Sequence, residues 1–324
     1  VMAGSLSGLP IFSGVDLDQI ETQHPDQERV DIKYLGVGGY LINWQGDEIM
    51  FAPSYTNPDP ISLLVNTRPS KRLINRLIPD VSNVDMILVG HSHYDHLLDV
   101  PYIMEKHAPK AKLYGSKTMK HLVASEVDSH RIEILNEKAG SYQQAGEWTY
   151  NQSGRIRIMP LLSDHAPNAT LFKGVIKAAN GDIIDEINWL FEVSPGSLEH
   201  DLDSLPTSAF FWKEGQSFAY LVDFLDDEGN IKFRLHYEDA ASTPNRGFVP
   251  ESLLAEKSVD TAILTVANFN EIKLPANADS TNPDNNILLY PQGIISNLQS
   301  DHYILGHWEN FFGNNYTYPW PFHN

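Results

Sequence analysis

Residues 91–96 read His-Ser-His-Tyr-Asp-His, three imidazoles and a carboxylate in six positions, directly after the apolar run Val-Asp-Met-Ile-Leu-Val-Gly at 84–90. Such groups are costly to bury unless they are paired or bind a metal. His91 and His93, two residues apart, share one side of an extended or loop segment, and Asp95 and His96 follow at once. The chain has no cysteine, so an ion held here takes imidazole and carboxylate ligands alone. That donor set suits zinc, manganese or iron. One tetrahedral ion cannot comfortably take all four groups from one short loop. Two ions sharing them need further ligands from elsewhere in the chain. The alternative, a surface histidine cluster, fits poorly with the apolar run before it.

The elements that must position these groups follow from hydrophobic patterning. Residues 84–90 read as a strand buried on both faces, and 99–107 as a helix with Asp99 as N-cap. Strands are expected at 30–44 and 47–53, joined by Gln-Gly-Asp-Glu, and at 111–115, 131–135, 154–161, 217–224, 230–237 and 259–266. Residues 71–78 carry Leu73, Ile74, Leu77 and Ile78 on one helical stripe, and 116–125 form a second helix. Residues 231–237 alternate Ile231, Phe233, Leu235 and Tyr237 against Lys232, Arg234 and His236, the pattern of a half-buried strand. A strand-rich first part followed by a similar second part predicts layered α/β architecture. Residues 1–29 are polar and turn-rich and read as an N-terminal arm; residues 30–324 form one domain. Residues 174–213 interrupt the rhythm as an insertion. Its aromatics, among them Trp189, Phe191, Phe210, Phe211 and Trp212, either line a substrate pocket as a lid or pack the insertion onto the domain.

The balance of 23 basic against 42 acidic residues, a net charge of −19, argues against phosphate-backbone binding as a main task, because affinity for nucleic acid comes mostly from Lys and Arg displacing counterions. It equally fits a solubility or habitat trait. No apolar run approaches the roughly 18 residues of a bilayer span. The opening Val-Met-Ala-Gly, with no leading methionine, fits a processed form from which a signal or anchor has been removed, and the absence of cysteine suits an exported, periplasmic protein. Leu-Gly-Val-Gly-Gly-Tyr at 35–40 does not fit G-x-G-x-x-G and reads as a tight strand crossing. Gly-Ser-Lys-Thr at 115–118 is not a P-loop, and no G-x-S-x-G elbow is present. Asn-x-Ser/Thr at 151, 168 and 315 is a chance-level pattern.

H-x-H-x-D-H after a buried strand resembles the signature of the metallo-β-lactamase-fold hydrolases, and later motifs come in that family's order over about residues 30–312. Leu-Leu-Ser-Asp-His at 161–165 offers His165, Ala-Tyr-Leu-Val-Asp at 219–223 offers Asp223, and Leu-Gly-His-Trp-Glu-Asn-Phe-Phe at 305–312 offers His307. The resemblance implies a four-layer αββα sandwich of two mixed sheets flanked by helices, and two divalent metal ions, with zinc favoured and manganese or iron as alternatives. His91, His93 and His165 would hold the first ion and Asp95, His96 and His307 the second, with Asp223 bridging. Asp226 and Asp227 compete with Asp223, and His302 competes with His307. Val222 stands where the family commonly has glycine before the bridging aspartate. Ser92, Ser163, Asp164 and Glu309 are adjacent candidates to orient the ligands, and Tyr94 either enters the core or faces substrate. The remaining histidines, including His121 and His236, read as surface or capping residues.

A centre of this kind implies hydrolysis, with Asp95 beside the attacking water as a catalytic group. Across the family the same centre cleaves β-lactams, lactones, thioesters, phosphodiesters and sulfate esters. The motifs look most like the branch of phospholipase D-type phosphodiesterases and sugar-phosphate lactonases, which implies a small-molecule or lipid-like ester as partner. The alternatives are an iron-binding redox enzyme in the same site and a non-catalytic metal-binding or scaffold protein.

Overall fold

The computed structural model describes residues 4–6, 9–11, 28–58, 60–165, 196–240, 245–265 and 289–307. Strands β1 (Gly4–Leu6) and β2 (Leu9–Ile11) pair as a separate antiparallel hairpin within the expected arm. The rest is organised by two six-stranded sheets. The first has the order β3 (Val30–Gly36), β4 (Gly39–Trp44), β5 (Asp47–Phe51), β6 (Val84–Leu88), β7 (Lys112–Gly115), β8 (Ile132–Ile134). The second runs from β14 (His302–Gly306) through β13 (Thr261–Thr265), β12 (Ile231–Glu238), β11 (Ser217–Leu225) and β10 (Ile156–Ser163) to β9 (Thr149–Tyr150). Each sheet is antiparallel on one side and parallel on the other.

Three apolar cores define four layers. Between the sheets, Tyr40, Ile42, Trp44, Phe51, Met86 and Leu88 meet Ile156, Phe218, Tyr220, Val222 and Tyr237. Successive side chains of a strand point to opposite faces, so Met50, Ile87, Val89 and Leu113 face outward. There they pack under α2 (Lys71–Leu77), α4 (Val100–Lys106) and α5 (Lys117–Val123) through Ile74, Ile103 and Leu122. On the far side Met159, Leu161, Leu221 and Ala262 pack against α6 (Glu251–Glu256) and α7 (Leu289–Leu298) through Leu253, Ile294 and Leu298. The layers form the four-layer αββα sandwich that the resemblance implies. Between β5 and α2 lies α1 (Pro60–Val65). Among the described residues, no helix is long and apolar enough to cross a membrane.

The structure amends three expectations. Strand β12 is buried on both faces at its C-terminal half, because residues 245–257 cover the polar stripe of Arg234, His236 and Glu238. Leu77 is left exposed by α2, whose core contact is Ile74. The part of the insertion that is described, residues 196–213, is docked on the domain. Trp212 is fully buried in the outer core of the first sheet, and Leu198, Leu202 and Leu205 pack beside it. Thr67 N donates to Thr207 O and Ser92 N to Glu214 O, both at 2.8 Å. Residues 174–195 lie outside the described residues.

Candidate metal centre

Strand direction assembles the site. In the second sheet β10 and β12 are each antiparallel to β11, and β12, β13 and β14 run parallel. The C-terminal ends of β10, β12 and β14 therefore emerge at one edge of the sandwich. The C-terminal end of β6 arrives at the same edge from the first sheet, where Phe218 N donates to Gly90 O. From β6 the chain enters His91–His93 and α3 (Tyr94–Leu97); β10 leads to His165, β12 to Asp239 and β14 to His307.

The rings of His91, His93 and His165 stand 4.5–4.8 Å apart, centroid to centroid, and His96 lies 4.2 Å from His91 and 5.3 Å from His307. One ligand atom from each of His91, His93 and His165 falls within 4.8 Å of the others, and the same holds for His91, Asp95 and His96. Asp95 Oδ2 lies 3.4 Å from His96 Nε2 and 3.3 Å from His307 Nε2. His91, His93, Asp95, His96 and His307 are all buried, and His165 is partly exposed.

Of the seven expected ligands the structure brings six together and leaves one out. Asp223 lies in the middle of the β11–β12 pairing, opposite Arg234, and its carboxylate accepts from both Arg157 and Arg234 at 2.6–2.9 Å. Its strand runs away from the site. Asp226 is no nearer, since it caps the turn to Asn230. The bridging assignment of Asp223 is therefore corrected. The carboxylate that does reach the cluster is Asp239, five residues beyond Arg234 and so about 17 Å further along the sheet at strand rise. It accepts from His91 Nδ1 at 3.0 Å and Gly90 N at 3.0 Å, and lies 3.3 Å from His96 Nδ1. The signal for it was present: β12 also ends in carboxylates, Glu238-Asp239. His302 is exposed at the start of β14 and lines a cavity at the opposite end of the sandwich with Arg29 and Asp260; His307 is the one at the cluster.

Burial, followed by the neighbouring His96, lowers the His91 imidazole to about 4. Burial and His165 hold His93 well below its ordinary value. Both rings are thus neutral, the form that binds metal. Burial opposes ionisation of Asp95, but His96 and His307 pull its carboxyl well below the usual range. Burial likewise opposes charge on His96, yet Asp95 and Asp239 together raise it.

The surrounding loops close on the ligands. The β3–β4 turn brings Gly38 so near His96 that a Cβ there would lie 2.7 Å from Nδ1, and His307 N donates to Val37 O at 2.9 Å. His307 itself has φ +57°, a left-handed backbone in which a non-glycine residue is strained. This turn is the strand crossing expected from its glycines. Ser163 donates to Glu238 at 2.8 Å, Ser92 pairs with Ser116 at 3.1 Å, and Asp164 pairs with Arg246 at 3.3 Å; Glu309 lies outside the described residues. Tyr94 packs on the outer core. His121 and His236 are buried, the first paired with Asp201 at 2.6 Å and the second hydrogen-bonded to Gly247 O at 2.7 Å, so neither is a surface residue.

Asp99, three residues past His96, sits at the N-cap position of α4 without capping it. Its Oδ2 instead accepts from Tyr55 N at 2.7 Å and Thr56 N at 2.8 Å, and Thr56 Oγ1 accepts from Ser70 N at 2.7 Å. The loop after β5 and the start of α2 are thereby tied to the histidine segment.

Two divalent ions fit this donor set. Nε2 of His91 is buried without a hydrogen-bond partner, while Nδ1 of the same ring is held by Asp239, the arrangement in which a metal-binding histidine is fixed by a carboxylate behind it.

Residues 58–182 match the family model of the Beta-lactamase superfamily domain. No curated protein matches the sequence. Among solved structures the chain is similar to Igni18, a metallo hydrolase from the archaeon Ignicoccus hospitalis, at 12% identity over 88% of this chain and 84% of that one, TM-score 0.47. It is also similar to an isothiocyanate hydrolase from Delia radicum gut bacteria, at 12% identity over 87% and 85%, TM-score 0.43. A third is CmlA, a diiron β-hydroxylase from Streptomyces venezuelae, at 11% identity over 92% of this chain and 51% of that one, TM-score 0.42.

Proposed function

We propose that the protein is a metal-dependent hydrolase that cleaves an ester-type bond, a phosphodiester or lactone in a small or lipid-like substrate. The observation that carries this reading is the unpartnered, buried Nε2 of His91 among four further imidazoles and the carboxylates of Asp95 and Asp239. His91, His93 and His165 form one ligand set and Asp95, His96 and His307 the other. Asp239 contacts one member of each set at the ring's Nδ1 atom and orients both rings from behind. Zinc is the favoured metal for this thiolate-free set, with manganese or iron as alternatives.

When bound, such a pair of ions supplies a nucleophile at neutral pH by lowering the pKa of water, and polarises the bond to be cleaved. The chain's own residues do the rest. Asp239 fixes the His91 tautomer, and the neutral His91 and His93 rings present lone pairs without a protonation penalty. Asp95, ionised between His96 and His307, orients the attacking water and relays its proton to the leaving group.

Natively purified protein reconstituted with zinc should hold about two ions per chain and turn over at least one of a phosphodiester, lactone, thioester or sulfate-ester panel. Failure to take up metal would remove the catalytic reading. Iron with visible absorption, and no hydrolysis, would favour the redox alternative.

A further inference from the structure

We propose that the surface formed by α1, residues 66–76 and the turn at Ala209–Phe211 docks on an anionic bilayer surface. The apolar part is Leu64, Val65 and Phe211, 45%, 69% and 59% exposed. These are large side chains left in water although Leu63 beside them is buried. The two elements are joined, since α1 packs against the 209–211 turn and Thr67 N donates to Thr207 O.

The basic part follows Leu64 and Val65 along the chain. Arg68, Lys71, Arg72 and Arg76 are all exposed, and no carboxylate occurs between Asp59 and Asp80. Four of the chain's 23 cationic side chains thus occupy nine positions in a molecule of net charge −19. Among the described residues none of the four is held in an ion pair; Lys71 lies over the Tyr102 ring at 5.1 Å. A solvated basic face is the ordinary state of such a run. Here the sign is opposite to that of the whole chain, and the cations follow exposed aliphatic side chains within a few positions of the chain. That combination matches the boundary between lipid headgroups and acyl chains, where phosphates take the cations and the apolar side chains leave water. A nucleic acid would use the cations and gain little from Leu64 and Val65.

Hydrogen bonds tie the segments that carry the patch to the histidine segment. Phe211 is three residues before Glu214, whose carbonyl accepts from Ser92 N, and the start of α2 is tied through Thr56 to Asp99. The inference is independent of the hydrolase reading, because binding is measured without turnover.

The test is co-sedimentation of the full chain with phosphatidylcholine vesicles, with and without a phosphatidylglycerol fraction. Binding is expected with phosphatidylglycerol only and is lost in high salt. Neutralising Lys71, Arg72 and Arg76 to Gln should weaken it about five-fold per cation. Val65→Ser with Phe211→Ser should weaken it about ten-fold or more, with thermal melting unchanged as the control for folding. No pelleting with anionic vesicles would overturn the proposal. So would pelleting that the neutralised chain retains, or retention of a DNA duplex in its place. A concentration-dependent dimer that covers the patch would overturn it too. Vesicle binding untouched by the Val65 and Phe211 substitutions would reduce the surface to a general basic patch and also count against it.

Discussion

Asp239 accepts from Nδ1 of His91 at 3.0 Å, while Nε2 of that ring is buried with no partner. One histidine is thus oriented by a carboxylate on one side and left open on the other. Asp239→Ala should lower metal affinity by at least the ten- to hundred-fold typical of losing an outer-shell carboxylate. Equilibrium dialysis with zinc checks this, and wild-type affinity in the variant would return Asp239 to a purely structural role.

Asp223 should behave oppositely. Asp223→Ala leaves Arg234, fully buried, without the carboxylate that accepts from its Nε and Nη2. Breaking one side of a buried pair costs about 3–5 kcal/mol, so urea unfolding should show a large loss. Metal content per folded chain should stay at the wild-type value.

His302 opens β14 and His307 follows its last residue, five positions on and at the opposite end of the sandwich. His307→Gly should remove one metal equivalent and most activity. It should also leave the metal-free fold no less stable, since glycine relieves the left-handed backbone at that position. His302→Ala should keep both ions. Elemental analysis of the two variants decides between them.

Asp99 gives a pH-dependent prediction. Burial pushes its carboxyl up to about 6 from the usual 3.8, against the hydrogen bonds from Thr56 and Tyr55. A carboxyl raised on folding binds its proton more tightly in the folded chain. Its stabilising contribution is therefore full below about pH 4 and is lost as pH rises through 6. Asp99→Asn should gain on the wild type between pH 4 and pH 7.5, by an amount on the order of 3 kcal/mol for a two-unit shift. Urea unfolding at both pH values, with metal content held equal, checks this; a constant difference would refute it.

The insertion divides into two parts with different expected effects. Trp212→Ala should cost about 3–5 kcal/mol, as truncation of a large core residue does, and removing residues 196–213 should prevent folding. A cut limited to residues 174–195 should leave metal content intact. If those residues shape substrate access, that cut should change KM far more than metal binding.

Much of the site was legible because it is local. The His91–His96 motif follows a strand whose every position is apolar or flanked by apolar neighbours, and periodicity located that strand and the helices after it. His165 and His307 also lie where their strands end. Asp223 misled because a carboxylate closing an apolar strand marks the site only if that strand runs toward it. Strand direction is set by pairing, which one sequence does not display, and β11 is the strand that runs away. Trp212 and the Arg234–His236–Glu238 stripe were obscured for a related reason. Whether an aromatic insertion or an alternating polar face meets water depends on the segment that folds over it, and nothing in the pattern of residues 245–257 marks them as folding back over β12.

Strand β14 is the outermost strand of its sheet among the described residues, paired on one side only with β13. Edge strands fray more readily than central ones, yet this one delivers His307 to the centre. With the ligand sets proposed above, cation binding and the ordering of this edge strand would be one equilibrium. Chelation should first release the ion sharing His307 and expose β14 to hydrogen exchange and protease. The other ligand set, carried on the interior strands β6 and β10, should outlast it. Metal supply would thus set the lifetime of the folded chain as well as its turnover, and a starved molecule would begin to come apart from its last strand inward.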